Sequence, residues 1–273
     1  MVKKIAQRGY IFLMLGLLYA PILMIIIYSF SNTNNFTFPD GFTFEAYVSL
    51  FTNAPRKLWD SMYNTVIIAV ISSVLATIIG SISAVGIFYL KPRTRRLVEN
   101  VNQLPIINSE IVMAVSFMLF FATLGFPQDR IWGFVRLILG HVTFCTPYVI
   151  LSVMPKLMQM DPNIYEAALD LGCNPTKALF KVIIPYILPG VISGFAMAFT
   201  ISLDDFIITQ LTKGASTGID TLSTYLYSSL RNASGLKPFW LPVFTIIILV
   251  VVTVVMFMNF RKAGKPQAKK EGK

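Results

Sequence analysis

Two adjacent carboxylates lie in a long apolar stretch of the chain, within the run Ser202-Leu203-Asp204-Asp205-Phe206. A charged side chain deep in a membrane-spanning helix costs about 2.5–3.5 kcal/mol. Two neighbouring charges therefore need a compensating feature, such as a water-filled path, a bound cation or a partner of opposite charge. Acidic residues along a path favour a cationic ligand.

Helical geometry separates the two carboxylates, because neighbouring side chains on a helix point about 100° apart. On a continuous helix, Asp205 shares a polar stripe with Ser202 and Thr209. Asp204 shares a more apolar stripe with Ile208. We therefore predict that Asp205, Ser202 and Thr209 face a path and that Asp204 pairs with another helix. The alternative is that both carboxylates only form ion pairs inside a helix bundle.

Other polar residues in apolar stretches are candidates for the same site. Glu110 is expected near the inner end of its segment, where it could line an exit, and Arg136 is one conceivable partner for the acidic pair. The one histidine, His141, has no matched Cys, Asp or Glu cluster and is expected to pack or form hydrogen bonds. We predict neither a catalytic residue nor a metal site.

The acidic pair lies in one of six apolar segments that are long enough to cross a bilayer. Apolar residues make up 55% of the 273 residues and charged residues only 13%, about half the share usual in a soluble domain. Mean hydropathy is +0.67. The predicted spans, all in a single transmembrane domain of residues 1–273, are residues 11–30, 64–90, 105–124, 132–155, 186–211 and 241–260.

Basic residues predict which loops face the cytoplasm. Sixteen of the 23 Lys and Arg residues fall on the side of the two termini. The positive-inside rule then places both termini and the loop at 156–185 in the cytoplasm. The net charge of +10 follows this topology and does not indicate a nucleic-acid-binding surface. In the last outer loop, the apolar spacing over 220–231 predicts a short surface helix.

The loop at 156–185 is much longer than a connection between two spans requires. Asp161 and Asn174 each precede a proline, a pattern typical of a helix start. Gly172, between them, is typical of a helix end. We predict two short helices hinged at Gly172, the second ending at Pro185, that form a docking surface for a cytoplasmic partner.

The same loop resembles the EAA loop of ABC importer permeases. The matching residues are Glu166-Ala167-Ala168, Gly172, Val182, Ile184 and Pro185. The spacing agrees, although the family usually has Ile and Leu at the positions of Val182 and Ile184. The resemblance implies an all-α integral membrane protein with six transmembrane helices, the type I ABC importer permease (MetI-like) fold, and both termini in the cytoplasm.

The resemblance also implies partners. Glu166 would engage a separate ATPase subunit, while Ala167 and Ala168 would allow close approach. The chain has no G-x-x-x-x-G-K-[ST] motif, so ATP and Mg²⁺ are expected on the ATPase and the chain itself is not expected to be an enzyme. A second homologous permease, two ATPase subunits and an extracytoplasmic solute-binding protein would complete the transporter.

The run around residues 202–209 is similar to the permease subunits of spermidine/putrescine importers. Polyamines are multiply protonated chains, for which spaced carboxylates and aromatic faces such as Phe206 and Tyr225 are suitable contacts. Permeases for iron, thiamine or other small solutes share the EAA loop and are alternatives. A stand-alone secondary transporter would predict inverted repeats with broken helices, and the sequence shows no repeat.

Overall fold

The computed structural model describes residues 2–30, 41–161, 163–214, 217–231, 242–243, 245–247 and 249–250. Every regular element in these ranges is a helix. The chain divides into two compact units, residues 1–56 with 229–273 and residues 57–228. The second unit contains both of the sites that the sequence predicts.

The first unit contains α1 (Val2–Ser29) and α2 (Glu45–Thr52). Residues 9–29 of α1 are apolar, exposed and long enough to cross a membrane, in agreement with the predicted first span. The Ser29 and Tyr47 hydroxyls are hydrogen-bonded at 2.7 Å, and the Phe30 and Phe42 rings stack with centroids 5.1 Å apart. The short α2 is therefore held against the end of α1.

The helices that follow are arranged around one long central helix. They are α3 (Arg56–Phe88), α4 (Pro92–Ile107), α5 (Glu110–Thr123), α6 (Arg130–Met158), α7 (Asn163–Asp170), α8 (Pro175–Ala178), α9 (Ile184–Asp204), α10 (Ile207–Thr212) and α11 (Leu222–Arg231). Among the described residues, α1, α3, α6 and the continuous run from α8 to α9 are each long and apolar enough to cross a membrane.

The third predicted span, residues 105–124, begins differently in the structure. Residues before it, expected as a loop, form α4, and α5 follows after a bend of 98°. Pro92 starts α4, and the extended backbone at Asn108 and Ser109 separates the two helices. The bent pair is a possible fifth span. The predicted sixth span, 241–260, lies mostly outside the described residues.

The central helix α6 packs along α9. Val149, Val153 and Leu157 of α6 are fully buried in the main core cluster, together with Ile187 of α9. At Gly190, a Cβ atom would lie 2.9 Å from Lys156 Cγ and 3.1 Å from the Ser152 carbonyl oxygen, so the two helices approach closely there. Close approach of this kind is the main source of helix association in a membrane.

An ion-pair network ties the segment between α10 and α11 to the start of α3. The carboxylate of Asp220 accepts hydrogen bonds from Lys213 Nζ at 2.7 Å and forms a salt bridge with Lys57 Nζ at 2.9 Å. Asn64 Nδ2 donates to the Asp220 carbonyl at 3.1 Å. Burial alone would raise the pKa of Asp220, but the two lysines outweigh it and hold the pKa below its usual value. A helix is present in the predicted segment 220–231, as α11, and Leu226 in it is buried.

We expect Gly190→Val to lower the free energy of unfolding by about 1–3 kcal/mol, because the added side chain would meet backbone atoms of α6. The measurement is the thermal midpoint of the purified protein in detergent. Gly86→Val in α3 is the control, since it is the same change with no atom within 4 Å. Equal losses at the two positions would contradict the close-approach explanation.

We expect the stabilisation from Asp220 to depend on pH. Because the pKa is lowered by folding, the contribution is complete at neutral pH, declines as the pH falls below about 4, and is lost below the folded-state pKa. Thermal midpoints of the intact protein and Asp220→Asn should therefore differ most at pH 7 and converge in acid. If the difference in thermal midpoint is the same at pH 7 and pH 3, this explanation is contradicted.

Candidate functional site

Helix α7 has the ends that its sequence predicts. The Asp161 carboxylate accepts a hydrogen bond from the backbone N–H two residues on, at 2.9 Å. At the other end, Gly172 has φ +82°, and its N–H donates to the Leu169 carbonyl at 2.9 Å. The Cys173 N–H donates to the Ala168 carbonyl at 3.1 Å. These two bonds form a Schellman motif, and the predicted helix end at Gly172 is confirmed.

The Glu-Ala-Ala triplet lies across two faces of α7. Ala168 is buried against the rest of the unit, whereas Glu166 and Ala167 are exposed. Leu171, just before the glycine, is 87% exposed. Sequence reasoning did not select Leu171, although an apolar residue directly before a helix-ending glycine was a visible signal. The exposed face is suited to protein contact because it combines a carboxylate, a small side chain and an apolar tip.

The opposite face of α7 is anchored to α3. The rings of Tyr165 and Tyr89, which follows the last residue of α3, have centroids 5.6 Å apart. Ile164 and Tyr165 both pack on the main core cluster. A cleft of about 330 Å³ lies beside this contact, lined by Val85, Tyr89, Tyr165, Pro175, Thr176, Leu179 and Ile183.

The sequence predicted that the second helix of the loop ends at Pro185, but the helix continues beyond it. Residues Pro175–Asp204 form one helical run of 30 residues through a π-helical turn at Leu179–Ile183. Proline has no N–H to donate and crowds the preceding turn, and the wider turn just before Pro185 accommodates it. At 1.5 Å per residue, the run is about 45 Å long and joins the loop directly to Asp204.

The predicted fifth span, 186–211, is broken at the acidic pair. Asp205 has an extended backbone, with φ −60° and ψ 131°, so α9 ends at Asp204. The Asp205 carboxylate accepts hydrogen bonds from the N–H of Ile208 at 3.3 Å and of Thr209 at 2.8 Å, which caps α10. It also accepts one from Thr209 Oγ1 at 2.8 Å. The predicted stripe on a continuous helix is wrong because Asp205 serves as a cap.

Asp205 faces another helix in the interior. Its side chain and that of His141, on α6, are each 2% exposed, with Oδ2 3.5 Å from Nε2. His141 Nδ1 lies 2.7 Å from Ser202 Oγ, and Nε2 lies 3.1 Å from Thr209 Oγ1. The structure therefore brings Ser202, Asp205 and Thr209 together as predicted, but around His141 and away from solvent. The expectation that His141 forms hydrogen bonds is confirmed.

Asp204 and Glu110 are the carboxylates that remain exposed. Asp204 forms no hydrogen bond or ion pair within the described ranges. The carboxylate that pairs with another helix is therefore Asp205, through His141, and not Asp204 as the sequence predicted. Glu110 is the first residue of α5, and it was expected near the inner end of its span. One turn later, Ala114 of α5 packs with Ile208 of α10 in a buried cluster. The start of α5 therefore lies near the helix that follows the break.

The sequence offered two further candidates. Arg136 is buried and donates to the Lys213 carbonyl at 3.4 Å, and within the described ranges it does not contact the acidic pair. The Phe206 ring packs on Tyr227, with centroids 4.9 Å apart. In the part of the chain that the structure describes, no three His, Cys, Asp or Glu side chains are placed to hold a metal ion.

Comparisons with known proteins identify relatives of this chain and its fold. The chain is 32% identical to the spermidine/putrescine transport system permease protein PotC of Haemophilus influenzae, covering 92% of this chain and 93% of that protein. It is 34% identical to the putrescine transport system permease protein PotI of Escherichia coli K12, covering 84% and 81%. A bacterial ABC transporter involved in alginate import has a chain with the same fold, with a TM-score of 0.71, 17% identity and 96% of each chain covered.

The family model described as "Binding-protein-dependent transport system inner membrane component" matches residues 76–264. This range includes the exposed face of α7, the long run from α8 to α9 and the break at Asp205. It also includes Glu110 and His141. The chain therefore belongs to the family of inner membrane components of binding-protein-dependent transport systems.

Proposed function

We propose that the chain is the permease subunit of an ATP-driven polyamine importer and forms half of the path for spermidine and putrescine. The observation that carries the proposal is the exposed carboxylate of Asp204 at the break where α9 ends. A second exposed carboxylate, Glu110, begins α5, which packs on α10 through Ala114 and Ile208. The names of the relatives, which are permeases of spermidine/putrescine and putrescine transport systems, support the same substrate class.

The break suits a cationic chain for two reasons. Asp204 and Glu110 offer carboxylates that can each accept a charge-assisted hydrogen bond from a protonated amine. The last carbonyls of α9 lack partners further along the helix and form the negative end of its dipole. Broken helices that present their ends to an ion are a common device of membrane transporters. In this proposal the residues that support the path without lining it are Ser202, Asp205 and Thr209.

The chain is a multi-pass protein of the bacterial inner membrane. We assign it six spans with both termini in the cytoplasm, because the basic residues collect on that side. The loop at 156–185 then faces the cytoplasm. The proposed partners are a second homologous permease, two ATPase subunits and an extracytoplasmic solute-binding protein.

In the proposed cycle, an ATPase subunit docks on the exposed face of α7, at Glu166, Ala167 and Leu171. Gly172 sets the angle between α7 and α8, and Ala168 holds α7 on the core. Because α8 continues through Pro185 into α9, movement of the docked ATPase would reach Asp204 along one helix. ATP and Mg²⁺ bind to the ATPase, and this chain hydrolyses nothing.

We expect Leu171→Asp to reduce co-purification of the ATPase subunit by more than about tenfold, because an apolar anchor would be replaced by a charge. Glu166→Arg should act in the same direction. Leu171→Met and Glu166→Gln are the matched controls, since they keep the size of each side chain, and they should retain most of the assembly. Normal assembly in both severe variants would contradict docking on this face.

We expect Asp204→Asn and Glu110→Gln each to reduce uptake of labelled spermidine by about tenfold or more in cells that carry the complete transporter. The reason is the loss of a charge-assisted hydrogen bond, worth about 1.5–3 kcal/mol. Asp60→Asn removes one exposed carboxylate at the start of α3 and should leave uptake unchanged.

The outcomes separate substrate from mechanism. If the intact transporter assembles with its ATPase and takes up no spermidine or putrescine, the polyamine assignment falls and the coupling proposal stands. If the intact transporter takes up spermidine and Asp204→Asn matches it at equal expression, the path does not use this carboxylate.

A further inference from the structure

His141 lies at the centre of a buried chain of hydrogen bonds that connects three helices. Ser202 belongs to the last turn of α9, Thr209 belongs to α10, and His141 lies on α6. The distances from the imidazole nitrogens to the two hydroxyl oxygens are 2.7 and 3.1 Å. The imidazole thus forms hydrogen bonds with both halves of the broken span.

Only one arrangement of protons in a neutral imidazole satisfies every group. Thr209 Oγ1 donates its proton to the Asp205 carboxylate, so it must accept from His141. Nε2 therefore carries the proton and Nδ1 accepts from the Ser202 hydroxyl. Each group then donates to the next one, from Ser202 to His141, from His141 to Thr209, and from Thr209 to Asp205.

Close packing reinforces this connection. A Cβ atom at Gly140, next to His141, would lie 3.2 Å from Ile208 Cγ2, so α10 rests almost directly on the backbone of α6. Asp204 lies between Ser202 and Asp205, and both of these neighbours belong to the hydrogen-bonded chain. The hydrogen bonds around His141 therefore set the direction in which the Asp204 side chain projects.

We propose that His141 is a positioning residue for transport: it fixes the break in the fifth span and so holds Asp204 towards the substrate path. This inference rests on the proposed function for the identity of the substrate and for the place of Asp204 in its path. The position of Asp204 can be measured without any substrate.

The test compares His141→Leu with His141→Gln in the assembled transporter. Glutamine has one acceptor and one donor on its terminal amide, so it can replace both hydrogen bonds of the Nε2-protonated imidazole. Leucine can replace neither. Cys145→Ala is the matched control, because Cys145 lies on α6, is buried, and contacts the Ala198 carbonyl of α9 at 3.6 Å without touching the break.

The first readout is the half-saturation concentration of spermidine uptake. It should rise about tenfold or more in His141→Leu, return to within about threefold of the intact value in His141→Gln, and stay unchanged in Cys145→Ala. Ser202→Ala, a smaller change that removes the first donor of the chain, should shift it in the same direction as His141→Leu.

The second readout needs no polyamine. With Asp204→Cys in a background of Cys145→Ala and Cys173→Ser, the rate of maleimide labelling at position 204 should change at least threefold on adding His141→Leu and be restored by His141→Gln. An unchanged labelling rate overturns the positioning role, even if uptake falls. Altered labelling in a transporter that takes up no polyamine supports the positioning role and rejects only the substrate assignment.

Discussion

A helix that breaks inside an apolar interior leaves backbone N–H groups without partners, and each unsatisfied group there costs several kcal/mol. The Asp205 carboxylate removes this cost at the start of α10 by accepting from the N–H groups of Ile208 and Thr209. His141 and Thr209 then hold that carboxylate in place. With the break stabilised in this way, α9 ends one residue before Asp205, and Asp204 stays exposed.

The same helix connects the two sites of the protein. The run from Pro175 to Asp204 begins beside the exposed face of α7 and ends at the acidic break. A continuous helix is stiff along its axis, so displacement at one end is passed to the other. A π-helical turn at Leu179–Ile183 lies just before Pro185, and the run continues through it.

Close contact between α6 and α9 gives this helix a defined surface to lie against. Gly190 and Gly194 let the backbone of α9 approach Val153 and Val149 at 3.3 Å, as measured from the Cβ position each glycine lacks. Within this apolar contact, His141 forms hydrogen bonds with Ser202 and Thr209. An unpaired polar group there would be costly, which is why the network can specify one arrangement of the break.

Much of the site could be predicted from local sequence. The helix end at Gly172, the start of α7 after Asp161 and the helix at 222–231 depend on neighbouring residues only, and each was predicted. Leu171 was missed because an exposed leucine has no distinctive spacing. The pairing of Asp205 with another helix was missed because the prediction assumed a continuous helix. The signal for a cap, an Asp followed by Thr209 four residues later, also fits a helical stripe.

The sequence alone thus determined the apolar segments, the loop with its two helix starts and the presence of an acidic pair, because these depend on composition and on contacts within a few residues. Tertiary structure decided that α4 bends into α5, that Pro185 lies within a helix, and that Asp205 turns inward to His141 while Asp204 stays exposed. The last of these outcomes depends on residues 60 or more positions apart, such as His141 and Ser202, whose pairing no local pattern encodes.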